Sequence, residues 1–225
     1  MKVAIIDFDG TLFPKDTIPF MMDFWIKDGQ NKWRYRKIMA LIYPYYLLYK
    51  LSMGNKAIKE KFRTYSFKTF NRLFDGFSEQ EIYAFFHRAG LAIRKELRPS
   101  MVQEIKRLQA DGYKTVLLSG AYRELLKASV YDLNFYSILG STLKFDKDGI
   151  FDAINGLTMI EGRHKVSIVG DHFSLSENDW LDAYAYGDSI TDAQLLSKVG
   201  HPVMVAPDPL LIEMGLRMQW KNLPS

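Results

Sequence analysis

Apolar and polar positions follow two periods along this chain. Short apolar runs, each long enough for one strand, are separated by stretches in which apolar residues recur at helical spacing. The predicted strands are KVAII (2–6), TVLLS (115–119), AYAYGD (183–188) and PVMVA (202–206). The predicted helices cover residues 98–112, 122–131, 163–173 and 190–199, and a last one begins at Pro209. Strands that alternate with helices predict βαβ units and a mostly parallel sheet.

Two segments depart from this alternation. Residues 143–153, LKFDKDGIFDA, alternate around Asp148-Gly149, which predicts a hairpin. Residues 14–97 show no clear strand pattern away from their ends, and aromatic residues such as Phe20 and Phe24 recur there at helical spacing. We therefore predict an α/β core made of residues 1–13 and 98–225, with residues 14–97 inserted as a helical domain.

Composition supports a folded chain and marks the same boundary. The 48% hydrophobic and 25% charged residues are typical of a globular protein. The net charge is +4, but residues 14–97 contain 16 Lys and Arg against 8 Asp and Glu, whereas the rest of the chain has a net charge of −4. The insert also contains 18 of the 32 aromatic residues. A basic, aromatic segment is thus inserted into an acidic one.

Three features of the sequence bear on its compartment. Cysteine is absent, which excludes disulfides and thiolate metal sites and fits a reducing environment. Only four apolar residues separate Lys2 from Asp7, fewer than a signal peptide needs. The longest apolar stretch, residues 38–51, contains Pro44 and is shorter than the ~20 residues of a membrane-spanning helix. We predict a cytoplasmic protein.

Polar residues stand at the ends of three predicted strands. Asp7 follows the first strand, Ser119 ends the second and Asp188 ends the third, with Asp9 and Asp192 close by in sequence. Because ligands bind at the carboxyl ends of strands in open parallel sheets, these residues should meet at one edge. Carboxylates gathered there would repel one another unless a cation joined them, and oxygen ligands suit Mg²⁺. An isolated Asp is more often a helix cap or a turn residue, and the joint placement of these acids at strand ends is what favours a site.

Four segments resemble the signatures of the haloacid-dehalogenase-like hydrolase superfamily. They are DFDGT (7–11), VLLSG (116–120), GRHKV (162–166) and YGDSITD (186–192), in the family's order and spacing. The similarity extends to the phosphoserine-phosphatase-like branch, in which a helical cap lies between the first two signatures. The resemblance implies a Rossmann-like, mostly parallel sheet flanked by helices, with an inserted α-helical cap.

The resemblance also implies roles for individual residues. Asp7 would be the nucleophile and Asp9 the general acid and then base, with Lys165 neutralising the phosphoryl group. Ser119, Gly120 and Thr11 are assigned to phosphate binding, and Thr11 also to the shape of the loop. The Mg²⁺ site would be formed by Asp7, Asp9, Asp188 and Asp192, with Asp192 binding through water or holding Lys165.

Several positions depart from the family pattern. Dehalogenases lack an acid at Asp9, so the sequence disfavours dehalogenation. Asp16 falls where phosphoserine phosphatases have a Glu for the substrate amine, although it could equally be an acid at a helix N-terminus. The Arg that binds the substrate carboxylate is replaced by Phe70, with Arg72 two residues later. Asp16 and Arg72 are therefore candidates for substrate selection, and phosphoserine itself is placed in doubt.

The sequence leaves more than one function open. The leading hypothesis is a Mg²⁺-dependent phosphomonoester hydrolase that acts on a small phosphorylated metabolite. A phosphoserine phosphatase and a phosphotransferase are alternatives within this class, and a slowly turning-over signalling receiver is disfavoured because receivers carry no cap insert. An alternative of another class is a module whose basic cap binds a membrane or an acidic partner. We interpret YPYYLLYKL (43–51) instead as core of the cap, and expect no nucleic-acid partner and no membrane contact.

Overall fold

A computed structural model describes residues 1–51, 56–160 and 164–224, without the side chains of residues 56, 57, 59, 60 and 63. The chain divides into two compact units. The first contains residues 1–16, 86–142 and 159–225, and the second contains residues 17–85 and 143–158. Among the described residues, no helix combines the length and apolar composition needed to cross a bilayer.

The first unit is built on a parallel sheet. Its strands lie in the order β3-β2-β1-β5-β6-β7, with every neighbouring pair parallel. They are β1 (Val3–Ile6), β2 (Lys114–Tyr122), β3 (Ser137–Leu143), β5 (Tyr184–Gly187), β6 (His201–Val205) and β7 (Lys221–Leu223). Its helices are α5 (Pro99–Ala110), α6 (Arg123–Ser129), α7 (Lys165–Phe173), α8 (Glu177–Asp182), α9 (Ala193–Lys198) and α10 (Pro209–Met218). The predicted α/β class with a mostly parallel sheet is confirmed.

The two central strands explain why this sheet forms. All four residues of β1 are buried, as are residues 115–119 of β2. Strands buried on both faces read as continuous apolar runs, which is the pattern that sequence analysis detected. Side chains from both strands pack with Val169 of α7 and Leu196 of α9 in one core cluster. These helices therefore cover the sheet and hold its central strands in place.

The second unit is mainly helical. It contains α1 (Thr17–Lys27), α2 (Lys32–Leu51), α3 (Lys56–Asn71), a 3₁₀ turn (Arg72–Phe74), the start of α4 (Glu79–Arg94) and the short strand β4 (Leu157–Thr158). Its core is aromatic. Trp25 lies with its ring centroid 5.7 Å from that of Phe74 and 5.4 Å from that of Phe85. Such offset and edge-on contacts are favourable for aromatic pairs.

The unit boundaries differ from the predicted domain boundaries. Residues 86–97 lie in the first unit, and residues 143–158 lie in the second. The second difference has a clear cause, because the predicted hairpin around Gly149 pairs with residues 76–79. The Gly76 N–H donates to the Phe151 carbonyl and the Phe151 N–H to the Phe77 carbonyl, each over 2.9 Å. An antiparallel bridge joins Ser78 to Ile150 between them.

The interpretation of residues 43–51 as cap core is wrong. Only Ile38 and Ile42 of α2 are buried. The large apolar residues that follow are exposed, apart from the half-buried Tyr49. The helical period that sequence analysis detected is therefore present, but the apolar side chains in the C-terminal half of α2 do not enter the core.

Candidate active site

The carboxyl ends of three neighbouring strands define the candidate site. Ile6 of β1 is paired with Leu117 of β2 and with Tyr186 of β5. Because the strands are parallel, the residues that follow these three positions emerge at the same edge of the sheet. Asp7 is tied to this edge by its N–H, which donates to the Tyr186 carbonyl over 3.0 Å.

Three carboxylates meet at this edge. One oxygen each from Asp7, Asp188 and Asp192 lies within 4.8 Å of the other two, with Asp7 and Asp192 buried and Asp188 half-buried. Three negative charges at this separation in a partly dry site are unfavourable without a compensating cation. Their oxygen donors fit a hard divalent cation such as Mg²⁺, which commonly binds one or two carboxylates together with water and phosphate.

Lys165 supplies one positive charge to the cluster. It is the first residue of α7 and is buried. Its Nζ donates to Asp7 Oδ1 over 2.5 Å and to Asp192 Oδ1 over 2.7 Å. Burial lowers the pKa of Lys165, but the charges of Asp192 and Asp7 and the hydrogen bonds they accept raise its pKa above the usual value. Lys165 is therefore held as an ammonium group between two carboxylates.

The loop after Asp7 requires glycine. Gly10 has φ +76°, and a Cβ built there would lie 2.1 Å from Asp188 Oδ2. The next residue, the buried Thr11, donates its hydroxyl proton to Asp188 Oδ1 over 3.3 Å. Asp9 is half-buried, and its backbone forms an isolated parallel β-bridge with Phe13. The DFDGT segment thus packs its backbone against Asp188 and uses Thr11 to orient that carboxylate.

Ser119 and Gly120 lie within the strand, because β2 continues to Tyr122. The Ser119 side chain is buried, and its Oγ accepts a hydrogen bond from the Ala121 N–H over 3.1 Å. The Gly120 carbonyl accepts from the Ser141 hydroxyl over 2.6 Å, and a Cβ on Gly120 would lie 3.1 Å from the Ile160 carbonyl. Ser141 was not among the predicted site residues, because no strand was predicted over residues 137–143.

Asp208 fixes the loop between β5 and α9. Its N–H donates to the Asp188 carbonyl over 2.7 Å, and its Oδ2 accepts from the Ile190 N–H over 3.2 Å. Asp208 also caps the helix that was predicted to begin at Pro209, since its Oδ1 accepts from the Leu211 N–H over 2.8 Å. Asp192 lies in the same loop, and its Oδ2 accepts hydrogen bonds from the Ser189 N–H and the Ser189 hydroxyl, each over 3.4 Å.

Arg98 supports the loop that contains Gly10. Its Nη2 donates to the Gly10 carbonyl over 3.2 Å, and its backbone N–H donates to the Leu12 carbonyl over 2.9 Å. Arg98 immediately precedes α5 and was predicted only as the start of a helix. No local pattern indicated this contact, because 88 positions separate Arg98 from Gly10.

Comparison with known families agrees with this geometry. The model of the haloacid dehalogenase-like hydrolase family matches residues 4–197. The chain belongs to this family of hydrolases. The match covers most of the chain, including all four segments on which the resemblance was based, so the predicted superfamily is confirmed. A comparison with curated proteins finds no significant match.

Solved structures with the same fold include proteins of several activities. A protein from Bordetella pertussis Tohama I aligns over 99% of this chain and 97% of its own, with 20% identity and TM-score 0.78. A cytosolic 5'-nucleotidase IIIB bound to cytidine aligns over 100% and 80%, with 17% identity and TM-score 0.70. A phospho-aspartyl intermediate analogue of phosphoserine phosphatase aligns over 94% and 90%, with 18% identity and TM-score 0.59. These similarities establish the fold of this family member.

The two candidates for substrate selection are both exposed, unlike the buried Asp7 and Asp192. Asp16 is exposed and directly precedes α1. Arg72 is exposed at the start of the 3₁₀ turn in the second unit, where Phe70 is fully buried. Gly162 and Arg163, part of the predicted third signature, lie outside the described residues.

Proposed function

We propose that this protein hydrolyses phosphomonoesters through a phosphorylated Asp7. The observation that carries the proposal is the arrangement around Asp7, a buried carboxylate at a strand end. Lys165 donates to one of its oxygens, and an oxygen of Asp188 lies within 4.8 Å. A carboxylate fixed beside a positive charge and grouped with two further carboxylates that could hold a cation is suited to attack phosphorus, since the surrounding positive charge offsets that of the phosphoryl group.

In the first step, one Asp7 oxygen forms a bond to phosphorus while the bond between phosphorus and the ester oxygen breaks. Asp9 donates its proton to the departing oxygen, so the leaving group departs as an alcohol. Lys165 remains protonated and stabilises the negative charge on the transferring phosphoryl group. The products of this step are the free alcohol, an aspartyl-phosphate at Asp7 and an ionised Asp9.

In the second step, ionised Asp9 removes a proton from a water molecule whose oxygen attacks phosphorus. The bond between phosphorus and the Asp7 oxygen breaks, which releases phosphate and regenerates both carboxyl groups in their starting states. Asp9 is half-buried, so it can be reached by both a substrate and water. This exposure supports its assignment to both proton transfers.

Asp7, Asp188 and Asp192 would hold Mg²⁺, together with the backbone carbonyl of Asp9. A bound Mg²⁺ would neutralise phosphate charge and align the phosphoryl group with Asp7. Asp192 already accepts hydrogen bonds from Lys165 and Ser189. We therefore propose that Asp192 would bind the cation through a water molecule, while its other contacts position Lys165.

Phosphate oxygens would be bound by the Ser119 hydroxyl and the Gly120 N–H. Ser119 Oγ accepts from the Ala121 N–H, which leaves the hydroxyl proton to donate to phosphate. Thr11 was grouped with these residues, but its hydroxyl donates to Asp188. For Thr11 we propose a positioning role, in which it orients Asp188 towards the cation.

We propose a small phosphorylated metabolite as substrate, selected by the helical insert predicted over residues 14–97. Solved structures of the same fold include phosphoserine phosphatase and a nucleotidase, which supports this class of substrate. Phe70, at the position expected to bind a substrate carboxylate, is buried in an aromatic core. This disfavours phosphoserine. We propose Asp16 and Arg72, both exposed, as residues that select the substrate. Hydrolysis of phosphoserine, and transfer of the phosphoryl group from Asp7 to an alcohol, remain the alternatives. A cytoplasmic location stays a prediction.

The decisive experiment is a panel of amino-acid, sugar, nucleotide and lipid-headgroup phosphates, assayed for phosphate release with Mg²⁺ and with EDTA. Activity should require Mg²⁺ and should fall by on the order of 10³ or more in Asp7→Asn, because the nucleophile is lost. Asp182→Asn, which alters an exposed carboxylate, is the matched control and should retain activity. Turnover by Asp7→Asn in EDTA would contradict the mechanism, and alcohol-dependent loss of free phosphate would identify a phosphotransferase.

A further inference from the structure

The outer surface of α2 is unusually apolar. Trp33, Leu48 and Leu51 are 71%, 59% and 78% exposed. Eight of the large apolar side chains exposed among the described residues belong to this single helix, and we refer to them as the α2 face: Trp33, Leu41, Tyr43, Tyr45, Tyr46, Leu47, Leu48 and Leu51. Single exposed apolar residues are common on proteins, whereas six within the nine positions 43–51 are the density expected of an interaction surface.

The charges on α2 are all positive. Residues 32–51 contain five basic residues and no Asp or Glu: Lys32, Arg34, Arg36, Lys37 and Lys50. Four of the five lie in the first six positions of the helix, before the apolar stretch begins. The Arg36 guanidinium lies 5.5 Å from the Trp33 ring centroid, and Lys50 Nζ lies 5.3 Å from that of Tyr46. Basic groups and exposed aromatic rings are therefore neighbours at both ends of the helix.

The exposed apolar residues and the exclusively positive charge of α2 together indicate what kind of surface could cover the α2 face. A second copy would bring a second all-positive helix to the contact, and like charges would oppose that pairing. An anionic bilayer offers phosphate groups to the basic residues and an apolar boundary to the leucines. Trp and Tyr also favour the headgroup level, where one edge of the ring is apolar and the other hydrated. Charge and apolar surface are both matched by a membrane surface.

We propose that α2 docks this protein onto the surface of anionic lipid bilayers. Lys32, Arg36 and Lys37 contact headgroup phosphates, whereas the Arg34 guanidinium donates to the Leu73 carbonyl over 2.9 Å. Tyr43, Leu47 and Leu48 enter the boundary between headgroups and acyl chains. This docking would concentrate the enzyme at a membrane. It is the opposite of what we expected from the sequence, which was no membrane contact. It does not depend on the proposed reaction, because no residue of the carboxylate cluster takes part.

Co-sedimentation of the full chain with vesicles tests the proposal. We expect binding to vesicles of phosphatidylcholine mixed with phosphatidylglycerol, weak binding to phosphatidylcholine alone, and release by high salt. A Tyr43→Ser, Leu47→Ser, Leu48→Ser variant should bind about tenfold more weakly or worse, because the inserted apolar area is lost. A Lys32→Gln, Arg36→Gln, Lys37→Gln variant should lose binding by a similar factor.

The control variant replaces apolar residues that are even more exposed but lie elsewhere: Ile154→Ser, Leu181→Ser and Leu216→Ser. This variant should bind vesicles as the parent does. All three variants should keep the parent's unfolding midpoint, because the altered side chains are exposed. Quenching of tryptophan fluorescence by brominated lipid, lost in Trp33→Phe, would place the helix itself at the bilayer.

Several results would overturn the proposal. They are absence of binding to either vesicle, equal binding to both, and equal loss of binding in the control variant. A concentration-dependent dimer in light scattering that the Tyr43, Leu47 and Leu48 variant abolishes would assign the α2 face to a second copy instead. Binding to an acidic polypeptide but not to vesicles would assign it to a protein partner.

Discussion

Two regions of this molecule reverse the usual distribution of residues. At the edge of the sheet, the charged side chains of Asp7, Lys165 and Asp192 are buried. On α2, large apolar side chains such as Tyr43 and Leu48 are exposed. Each arrangement has a free-energy cost in an isolated chain, through desolvation of charge in one region and hydration of apolar surface in the other.

The difference between the two regions lies in what offsets the cost. The buried charges offset one another, since Lys165 donates to both carboxylates at 2.5 and 2.7 Å. The apolar side chains of α2 have some aromatic neighbours, such as the Tyr45 and Tyr65 rings at 3.9 Å between centroids, yet a large part of their surface remains in water. Lys165 thus offsets part of the charge at the site from within the fold, whereas the exposed apolar residues of α2 indicate a surface outside it.

The largest effect on stability is expected when Lys165, the cation shared by Asp7 and Asp192, is removed. In buffer with EDTA, Lys165→Met should lower the free energy of unfolding by about 3–5 kcal/mol, because two buried carboxylates lose their shared cation. Urea denaturation measures this change. The matched control Lys198→Met removes an exposed pair with Glu177 and should cost less than about 1 kcal/mol. Equal effects of the two substitutions would show that burial does not distinguish these ion pairs.

The second prediction compares apolar residues that differ in burial. Phe74→Ala should lower the free energy of unfolding by about 3–5 kcal/mol, because Phe74 is fully buried against Trp25 and Phe85. Leu48→Ala should change it by less than about 0.5 kcal/mol, since that side chain is mostly in water. Thermal or urea unfolding of both variants measures the contrast. A large loss in Leu48→Ala would mean that α2 contributes to the core.

A smaller effect on stability is expected at the loop beside Asp7. Gly10→Ala should lower the free energy of unfolding by about 1–3 kcal/mol, because alanine disfavours positive φ and its Cβ would collide with Asp188. Phosphatase activity should fall with it. Gly149→Ala is the control, since Gly149 has φ +75° but open space around its Cβ position. It should show the cost of positive φ alone, with activity retained.

Sequence patterns predicted most of the first unit because its elements are locally determined. The apolar runs of β1, β5 and β6 and the helix start at Asp208-Pro209 each have a physical signal within a few residues. β3 and β7 and the short helix α8 were missed. β3 is half-buried along much of its length, and β7 has only three residues. Neither has the continuous apolar run that identifies a buried strand.

The candidate site was partly predictable for the same reason. Asp7 and Asp188 follow buried strands directly, so the topology of a parallel sheet was enough to bring them to one edge. The supporting residues Arg98 and Ser141 were not predictable, because each contacts the backbone of a residue at least 21 positions away. Nothing in their local sequence distinguishes them from surface residues.

The sequence by itself determined the α/β architecture, the strand-end position of the acids and the helical nature of the insert. These properties follow from periodicity and from the order of elements, which are local along the chain. The tertiary structure alone decided which carboxylate oxygens share Lys165, which backbone groups hold the Gly10 loop, and that the C-terminal half of α2 is exposed. Those outcomes depend on packing between residues distant in sequence. Apolar residues at helical spacing predict a helix, but they do not determine whether other parts of the protein bury its apolar side chains.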